Sequence, residues 1–373
     1  MLKKMNSANE VMFISADLAD QAAGGALCDR EIWEALRVRY RVILVEPYKL
    51  ADLRWLPNAT LRAVLYNLVL LLRVRPPAVV LVDLVYAREL FIAAWIWRHF
   101  RRCTLLGLLY HLRYHLTERP LVKRFERFAE TVTLRCLDHV WVISQSGRRE
   151  AVALGVDPAK IALLPTAKRY RTLPVLPATP EPNRPITLLF VGTIQRRKGV
   201  ADALRALSRY DGPDHVRFRC VGRMANDPPY VCELQRLAAA CPRATVEWVG
   251  FVSDAQLEHE YAGADAFLFP SLWEGYGMAI EEAMLFGLPV ICYATSAVTE
   301  LAVDGRNAWV VPPGDVATLA TAIKDCVTNP AERRRRGLQA AADARRRLAE
   351  NRRIGEPIVA FLEALRGHAT NPH

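Results

Sequence analysis

The chain lacks the features that mark disulfide-rich, zinc-binding and membrane-spanning proteins. Its eight cysteines are scattered, with no Cys-x-x-Cys spacing and no cluster of cysteine with histidine. This favours reduced thiols in a cytosol over a disulfide framework or a zinc site. The N-terminus runs into a short apolar segment, so we expect no signal peptide. No run of about eighteen apolar residues occurs, and we therefore expect no spanning helix.

The excess of positive charge lies in the first half of the chain. The 373 residues carry a net charge of +11. Residues 1–172 hold 27 Lys and Arg against 16 Asp and Glu, whereas residues 173–373 hold 23 of each. Such a basic half can bind anionic lipid or another anionic partner. Alternatively, it is a solvated basic face that has no binding partner. We expect no nucleic-acid partner, because no recognition motif accompanies the charge.

Apolar segments alternate with amphipathic ones along the chain, in two series. Strands of the first series are predicted at residues 11–14, 42–45, 79–82, 104–109, 140–143 and 161–164. Strands of the second are predicted at residues 186–191, 216–221, 246–249, 266–270 and 289–293. Strands that are apolar throughout and alternate with helices indicate parallel sheets covered on both faces. We therefore predict an α/β fold with two Rossmann-like domains.

A proline-rich stretch separates the two series. Six prolines crowd into residues 165–185, a density typical of an extended linker. We place the first domain at residues 1–168, the linker at 169–185 and the second domain at 186–350. The remaining residues, 351–373, are expected to form a C-terminal helix that could pack back on the first domain.

Two glutamates eight positions apart, Glu274 and Glu282, form the most informative pattern. A predicted strand precedes them, and two glycines and a helix start lie between them. A strand, a glycine-rich turn and a helix N-terminus suit an anionic group, because free N–H groups and the helix dipole face it. Carboxylates suit polyhydroxyl ligands, and the combination suggests a sugar joined to a phosphate. Alternatively, Glu282 belongs to an acidic first turn that only favours the helix dipole.

A basic loop follows the first strand of the second series. Gly192 ends that strand, and Arg197 and Lys198 precede the next predicted helix. The planar fork of Arg197 can bind phosphate oxygens, while Lys198 offers a compact charge. Arg196 is interpreted as their solvated neighbour. Without a ligand, this segment would be an ordinary basic surface loop.

The segment from Ser271 to Ile291 resembles the Glu-x7-Glu signature of the retaining glycosyltransferases of family four, which have the GT-B fold. A Pro-Ser precedes the signature and a Gly-x-Pro-Val-Ile closes it, as in that family. The resemblance extends from Gly24 to Asp315 and is strongest in residues 186–315. It implies two Rossmann-like domains whose parallel sheets face each other across a cleft, with the ligand at the carboxyl ends of the strands.

The resemblance also implies a role for each residue of these motifs. Glu274 would hydrogen-bond hydroxyls of the transferred sugar, and Glu282 would bind the ribose hydroxyls of a nucleotide. Arg197 and Lys198 would stabilise the charge that grows on the leaving diphosphate. The other donor-binding positions of the second half are Gly192, Gly275, Tyr276, Gly277 and Met278.

The first half supplies three further candidates. Gly24 and Gly25 end a predicted loop after the first strand, and the family has a Gly-Gly here near the donor phosphate and the acceptor. A glycine pair lets the backbone approach a ligand closely. His111 follows the fourth strand and matches the family's active-site histidine; we prefer it to His115 because it lies closer to the strand end. A lone histidine can equally be structural.

Several positions depart from the family pattern. Thr193 stands where most members have an arginine, and Ser296 and Ala297 replace a Gly-Gly. No Asp-x-Asp pair occurs, which argues against a carboxylate-bound divalent metal on the diphosphate, so we expect neither metal nor cofactor. The run Glu258–Tyr261 is interpreted as the solvated face of a helix.

The sequence therefore predicts a retaining, metal-independent glycosyltransferase, with a hexose as the expected sugar. It would use a nucleotide diphosphate sugar and an acceptor hydroxyl on a glycan, glycolipid or lipid-linked saccharide. Basic and aromatic residues near Trp95 and Lys123 suit an anionic membrane, so we expect a cytoplasmic protein that could lie on the inner face of the membrane. Two alternatives stay open: a phosphorylase or sugar-phosphate synthase of the same fold, and a non-catalytic protein that binds nucleotide sugars.

Overall fold

Two six-stranded parallel sheets organise the chain. The structure is a computed structural model that describes residues 9–370, except 16–17, 19–23, 54, 57, 102, 118, 175–183 and 351–352. The chain divides into two units: Met1–Ala167 together with Arg352–His373, and Lys168–Asn351. Each unit contains one of the sheets.

The first unit has the strand order β2-β1-β3-β4-β5-β6. Its strands are β1 (Glu10–Ile14), β2 (Arg41–Val45), β3 (Val79–Asp83), β4 (Thr104–Leu109), β5 (His139–Val142) and β6 (Ile161–Leu163). Its helices are Gly24–Arg37, Pro47–Leu50, Ala59–Arg73, Ala87–Ile96, Pro120–Cys136, Gln145–Ala153 and Gly355–Thr370, and a π-helical turn spans Trp97–Arg101. The central strands are buried along almost their whole length, which matches their uniformly apolar sequence.

The last helix, Gly355–Thr370, packs against Gly24–Arg37 within the first unit. The contact is close at Gly355, where an added Cβ would lie 2.4 Å from the Cβ of Ala35. The amide of Ile354 donates to the carboxylate of Glu31 at 3.2 Å. The chain therefore returns to its first unit after completing the second.

The second unit has the strand order β12-β11-β10-β7-β8-β9. Its strands are β7 (Ile186–Val191), β8 (Val216–Val221), β9 (Ala244–Gly250), β10 (Ala266–Phe269), β11 (Val290–Tyr293) and β12 (Ala308–Val311). Its helices are Val200–Ser208, Pro228–Ala239, Asp254–Gly263, Met278–Leu285, Val298–Leu301, Val316–Thr328 and Pro330–Ala349. One continuous apolar core joins the sheet to these helices.

The predicted α/β fold with two Rossmann-like sheets is confirmed. Two local predictions are corrected. Gly24 and Gly25 do not end a loop but begin the helix Gly24–Arg37. Tyr261 does not lie on a solvated face: its ring is fully buried against Phe286 and Phe267, because its helix turns that side toward the core.

Candidate functional site

The candidate residues of the second unit lie at the carboxyl ends of its central strands. The loop after β7 carries Arg197 and Lys198, and the loop after β10 carries Glu274. Gly199 joins the two loops closely. Its φ is +69°, and an added Cβ would lie 1.9 Å from the carbonyl oxygen of Pro270. Only glycine tolerates both the left-handed backbone and this approach.

Replacement of Gly199 by alanine should therefore destabilise the unit. The methyl group would clash with backbone that cannot move aside, and the left-handed φ adds strain of its own. We expect a loss of about 3 kcal/mol or more in the free energy of unfolding. Chemical denaturation measures it. Gly263→Ala is the matched control, since a Cβ there meets nothing within 4 Å; equal stability of both variants would contradict the close contact.

Three donors converge on one carboxylate oxygen of Glu274. Lys198 Nζ lies 2.6 Å from Oε1, an Arg197 guanidinium nitrogen lies 3.1 Å from it, and Ser271 Oγ donates to it at 2.7 Å. Within the part of the chain that the structure describes, Oε2 accepts no hydrogen bond. Glu274 is 8% exposed, so the second oxygen of a nearly buried carboxylate is left for another donor.

The charges of this cluster stabilise one another. Burial raises the pKa of the Glu274 carboxyl, but the neighbouring charges of Lys198 and Arg197 outweigh it and hold that pKa below its ordinary value. Burial lowers the pKa of the Lys198 ammonium, and Glu274 offsets this only in part. We infer an ionised cluster near neutral pH, in which the excess charge is one positive unit.

Backbone contacts hold Glu274 in place from the other side. Ser296 Oγ accepts from the amide of Glu274 at 3.0 Å and donates to its carbonyl oxygen at 2.7 Å. Ser296 has a φ of +33° and is the only non-glycine residue in the described chain with a positive φ. It is one of the residues that replace the family's Gly-Gly. The serine side chain thus supports the glutamate loop.

The helix Met278–Leu285 begins directly after this loop. Gly277 precedes it with a φ of +101°, a conformation that favours glycine. The amides of the first helical turn have no acceptor within the helix, so this end suits an anionic group. Gly192, directly after β7, lies beside the lysine: a Cβ added to it would be 3.9 Å from Lys198 Nζ.

Glu282 lies on this helix and is held by two side chains. Arg169 Nε approaches Oε1 at 3.3 Å, and the hydroxyl of Tyr261 donates to Oε2 at 2.9 Å. Burial raises the pKa of the Glu282 carboxyl, and Arg169 offsets the effect only in part. Arg169 also pairs with Asp254. A carboxylate has about four acceptor sites, so Glu282 can still accept from further hydroxyls.

The adjacent Glu281 is held in the same way. Lys168 Nζ lies 2.5 Å from its Oε2 and 5.8 Å from the ring centre of Tyr276. Consecutive cations, Lys168 and Arg169, thus pair with consecutive glutamates, which is an arrangement that sequence reasoning missed. The available signal was a Lys-Arg dipeptide at the edge of the proline-rich stretch, and nothing in it indicated a partner about 113 positions away.

Arg196 lies apart from the cluster, as the sequence indicated. Its guanidinium contacts Asp227 at 3.0 Å and Glu233 at 3.4 Å, and it lies over the ring of Tyr230. The three consecutive cations of the loop therefore contact different partners. Arg197 and Lys198 contact Glu274, whereas Arg196 contacts the start of the helix Pro228–Ala239.

The candidates of the first unit lie at the carboxyl edge of its own sheet. His111 is half-buried just beyond β4, and a Cβ added to Gly25 would lie 3.6 Å from the ring of the adjacent Tyr110. Glu130 holds the segment after His111 by accepting from the amides of Arg113 and Tyr114. Burial raises the pKa of Glu130 to about 7. His115 instead pairs with Glu150 at 3.2 Å.

The described residues contain neither a group of metal ligands nor a helix that could span a membrane. Across these ranges, no three or more His, Cys, Asp or Glu side chains are grouped so that they could hold a metal ion. None of the helices that the structure describes is long and apolar enough to cross a membrane.

Residues 176–343 match the family model described as glycosyl transferases group 1. This segment is a group 1 glycosyl transferase domain. The match covers the basic loop and both glutamates of the site, and it confirms the resemblance that those residues carried. It lies wholly within the second unit.

Curated relatives are similar to part of the chain. The O-antigen chain mannosyltransferase B of Escherichia coli is 28% identical over 137 residues, which are 36% of this chain and 35% of that protein. The alpha-maltose-1-phosphate synthase of Mycolicibacterium smegmatis is 33% identical over 168 residues, which are 42% of each. The chain thus spans about two fifths of the length of these relatives.

Solved structures match nearly the whole chain in fold. HepE from Anabaena, in complex with UDP-glucose, has a TM-score of 0.70 and 19% identity, covering 95% of this chain and 99% of that one. The sucrose-phosphate synthase of Thermosynechococcus elongatus has a TM-score of 0.72 and 18% identity, covering 97% and 99%. At these identities the likeness establishes the two-domain GT-B fold.

Proposed function

We propose that the protein is a retaining, metal-independent glycosyltransferase that uses a nucleotide diphosphate sugar. The convergence of Lys198, Arg197 and Ser271 on one oxygen of Glu274 carries this proposal. In this proposal the two cations bind a diphosphate and the adjacent carboxylate binds a sugar, next to a helix N-terminus. The family match of residues 176–343 supports the same conclusion.

In the proposed reaction the diphosphate leaves while the acceptor attacks. The bond between the anomeric carbon and the diphosphate oxygen breaks, and a bond to the acceptor oxygen forms on the same face of the sugar. The proton of the acceptor hydroxyl passes to the leaving phosphate. Lys198 and Arg197 would stabilise the growing negative charge, and Glu274 Oε2 would accept from a sugar hydroxyl.

Glu282 would bind the nucleotide ribose. Its carboxylate is already oriented by Tyr261 and Arg169, so little rearrangement is needed to accept two hydroxyls. The structural neighbour HepE is in complex with UDP-glucose. We therefore propose a uridine nucleotide as the first donor to test.

A panel of nucleotide diphosphates and their sugars, with EDTA throughout, tests the donor site by thermal stabilisation. We expect one nucleotide family to raise the melting temperature, because a ligand that binds only the folded state stabilises it. The shift should be lost in Glu282→Ala and kept in Glu258→Ala, an exposed glutamate of the helix Asp254–Gly263. An unchanged nucleotide affinity in Glu282→Ala would count against the ribose role.

The acceptor is proposed to be lipid-linked, because of one surface of the first unit. Three helical segments, 59–73, 87–101 and 120–136, pack against one another in series. Large apolar side chains are exposed along them; these are Leu61, Leu68, Leu72, Trp95, Phe100, Leu121 and Phe128. Ring contacts join neighbouring segments, as between Phe91 and Phe128 at 6.1 Å. We call this the aromatic–basic surface.

The charges of the aromatic–basic surface have one sign. The acidic residues of its three segments, Glu89, Glu126 and Glu130, are all buried. Buried Arg88 pairs with two of them. The exposed charges are therefore all basic, and they include Arg73, Arg98, Arg101, Lys123, Arg124, Arg127 and Arg135. Arg98 pairs with Asp138, which lies just outside these segments. Exposed aromatic rings among the other cations suit the interface of an anionic membrane.

Charge reversal of Lys123, Arg124 and Arg127 to glutamate tests this surface. We expect vesicle affinity to fall by about a hundredfold, since each basic residue near an anionic surface contributes about 1 kcal/mol. Sedimentation with phosphatidylglycerol vesicles measures it, and phosphatidylcholine vesicles give the charge-independent part. Reversal of exposed Arg209, Arg236 and Arg243 in the second unit is the control. Failure of the unaltered protein to bind the anionic vesicles would refute the surface.

A sugar phosphate is the competing acceptor class. The relative from Mycolicibacterium smegmatis is an alpha-maltose-1-phosphate synthase, and a structural neighbour is a sucrose-phosphate synthase. The structural likeness covers 97% of the chain and so includes the candidate donor half, which the two reactions would share. Acceptor assays with sugar phosphates and with lipid-linked saccharides separate the two classes.

A further inference from the structure

A cavity lies in the second unit, away from the candidate donor site. It encloses about 730 Å³, a volume in the range of small-molecule pockets. Its lining includes Thr187 and Arg217, which are the second residues of β7 and β8. It also includes Asp265 and Pro289, which immediately precede β10 and β11. The cavity is therefore at the amino ends of the strands. Glu274 and Lys198 lie beyond their carboxyl ends, about 15–20 Å away for strands of this length.

Arginines dominate the charge of this cavity. Arg184, Arg217, Arg333 and Arg334 line it, and among its described lining residues Asp265 is the only carboxylate. Asp265 is 7% exposed and is fully engaged, because Arg184 contacts both of its oxygens at 2.8 Å. The amide of Thr187 donates to it as well. Arg184 is thus neutralised within the wall, and the other described charged side chains that line the cavity are arginines.

Two of the other arginines, Arg333 and Arg217, have neutral or exposed partners. Arg333 donates to the carbonyl oxygens of Cys326 and Val327, which leaves its charge uncompensated by a carboxylate there. Arg217 pairs with Glu247 at 3.2 Å, where both side chains are at least a third exposed. An exposed pair of this kind contributes little and can be exchanged for a ligand. Arg334 lies on the exposed first turns of the helix Pro330–Ala349.

The rest of the cavity wall is mainly apolar. Phe286, Leu288, Pro289 and Leu338 supply it. The N-terminus of the 20-residue helix Pro330–Ala349 also borders the cavity, and its dipole favours a negative charge. A ligand for this cavity must therefore carry both an anionic group and a compact apolar or organic body.

We propose that this cavity binds a phosphate monoester of a small organic molecule. The arginine forks match phosphate oxygens in pairs, and the apolar wall receives the organic part. The floor of the cavity, residues 286–289, is the turn that ends the helix Met278–Leu285, which carries Glu281 and Glu282. The site is separate from the donor site and does not depend on the proposed reaction.

Calorimetric titration of the full chain with phenyl phosphate and with inorganic phosphate tests the proposal. We expect saturable binding of phenyl phosphate that is tighter than that of inorganic phosphate, because only the former uses the apolar wall. Arg217→Gln with Arg334→Gln should weaken it by about tenfold or more, since charge-assisted hydrogen bonds are lost. Arg243→Gln, an exposed arginine outside the cavity, is the matched control.

The Lys198→Ala variant distinguishes this cavity from the donor site. Phenyl phosphate binding should persist in that variant and should add to nucleotide binding in the unaltered protein. Loss of binding in Lys198→Ala would assign the ligand to the donor site and overturn the proposal. Absence of binding, or equal binding by the double glutamine variant, would also overturn it. The two glutamine substitutions tested singly, with a thermal melt of each, separate loss of affinity from loss of fold.

Discussion

Lys198→Ala is expected to lower turnover by about two to three orders of magnitude while the protein stays folded. The ammonium lies 2.6 Å from Glu274 and is the compact cation of the cluster, where it would meet the leaving diphosphate. Its removal takes away charge stabilisation that is worth most when negative charge develops. Glu274 keeps Arg197 and Ser271 as partners, so the loop should hold its shape. Initial rates and a thermal melt measure the two effects.

Arg196→Ala is the matched control for that variant. It removes a cation two positions away whose guanidinium pairs with Asp227 and Glu233. We expect its turnover to remain within a few-fold of the unaltered protein. If Lys198→Ala behaved like Arg196→Ala, the assignment of the basic loop to the leaving group would be wrong.

Glu274→Ala should reduce turnover by about three orders of magnitude and should also lower stability. The substitution removes the proposed sugar contact and leaves Lys198 and Arg197 as neighbouring cations without their shared carboxylate. Breaking a buried ion pair in this way costs about 3–5 kcal/mol, because an uncompensated charge stays buried. Rates and denaturant unfolding measure the two losses.

Glu274→Gln separates the two contributions. The amide oxygen can still accept from Ser271 Oγ and keeps the shape of the side chain, but it removes the negative charge. We expect turnover to stay low and part of the stability to return. If either variant turned over at nearly the rate of the unaltered protein, the proposed role of Glu274 in the reaction would be wrong.

The fold could be predicted from the sequence because its strands are short, apolar throughout and separated by helical patterns. Segments such as Ile186–Val191 and Val216–Val221 have the bounds that the sequence indicated. Burial on both faces of a parallel sheet demands this apolar composition, so the pattern is strong. The strand Ala308–Val311 is absent from the predicted strands, although its four residues are apolar.

The motif residues could be located because they follow strand ends. The loops after β7 and β10 are adjacent in the sheet, which brings Arg197, Lys198 and Glu274 together as the Rossmann pattern implies. The roles assigned to these residues stay predictions until the variants are measured.

Long-range partners could not be predicted. Lys168 and Arg169 pair with Glu281 and Glu282, which are far away in the sequence. No local sequence pattern indicates such a pairing. The prediction that Tyr261 lies on a solvated face was wrong because it relied on the acidic neighbours Glu258 and Glu260. The helix Asp254–Gly263 has charged residues on most sides, and only its packing against Phe286 shows which side is buried.

The most direct test of the central claim is release of nucleoside diphosphate from nucleotide diphosphate sugars, with EDTA present and a lipid-linked saccharide as acceptor. The account predicts acceptor-dependent release from one nucleotide family, unchanged by EDTA and lost in Lys198→Ala but not in Arg196→Ala. Absence of release with every donor, release that EDTA abolishes, or release that survives Lys198→Ala would contradict it.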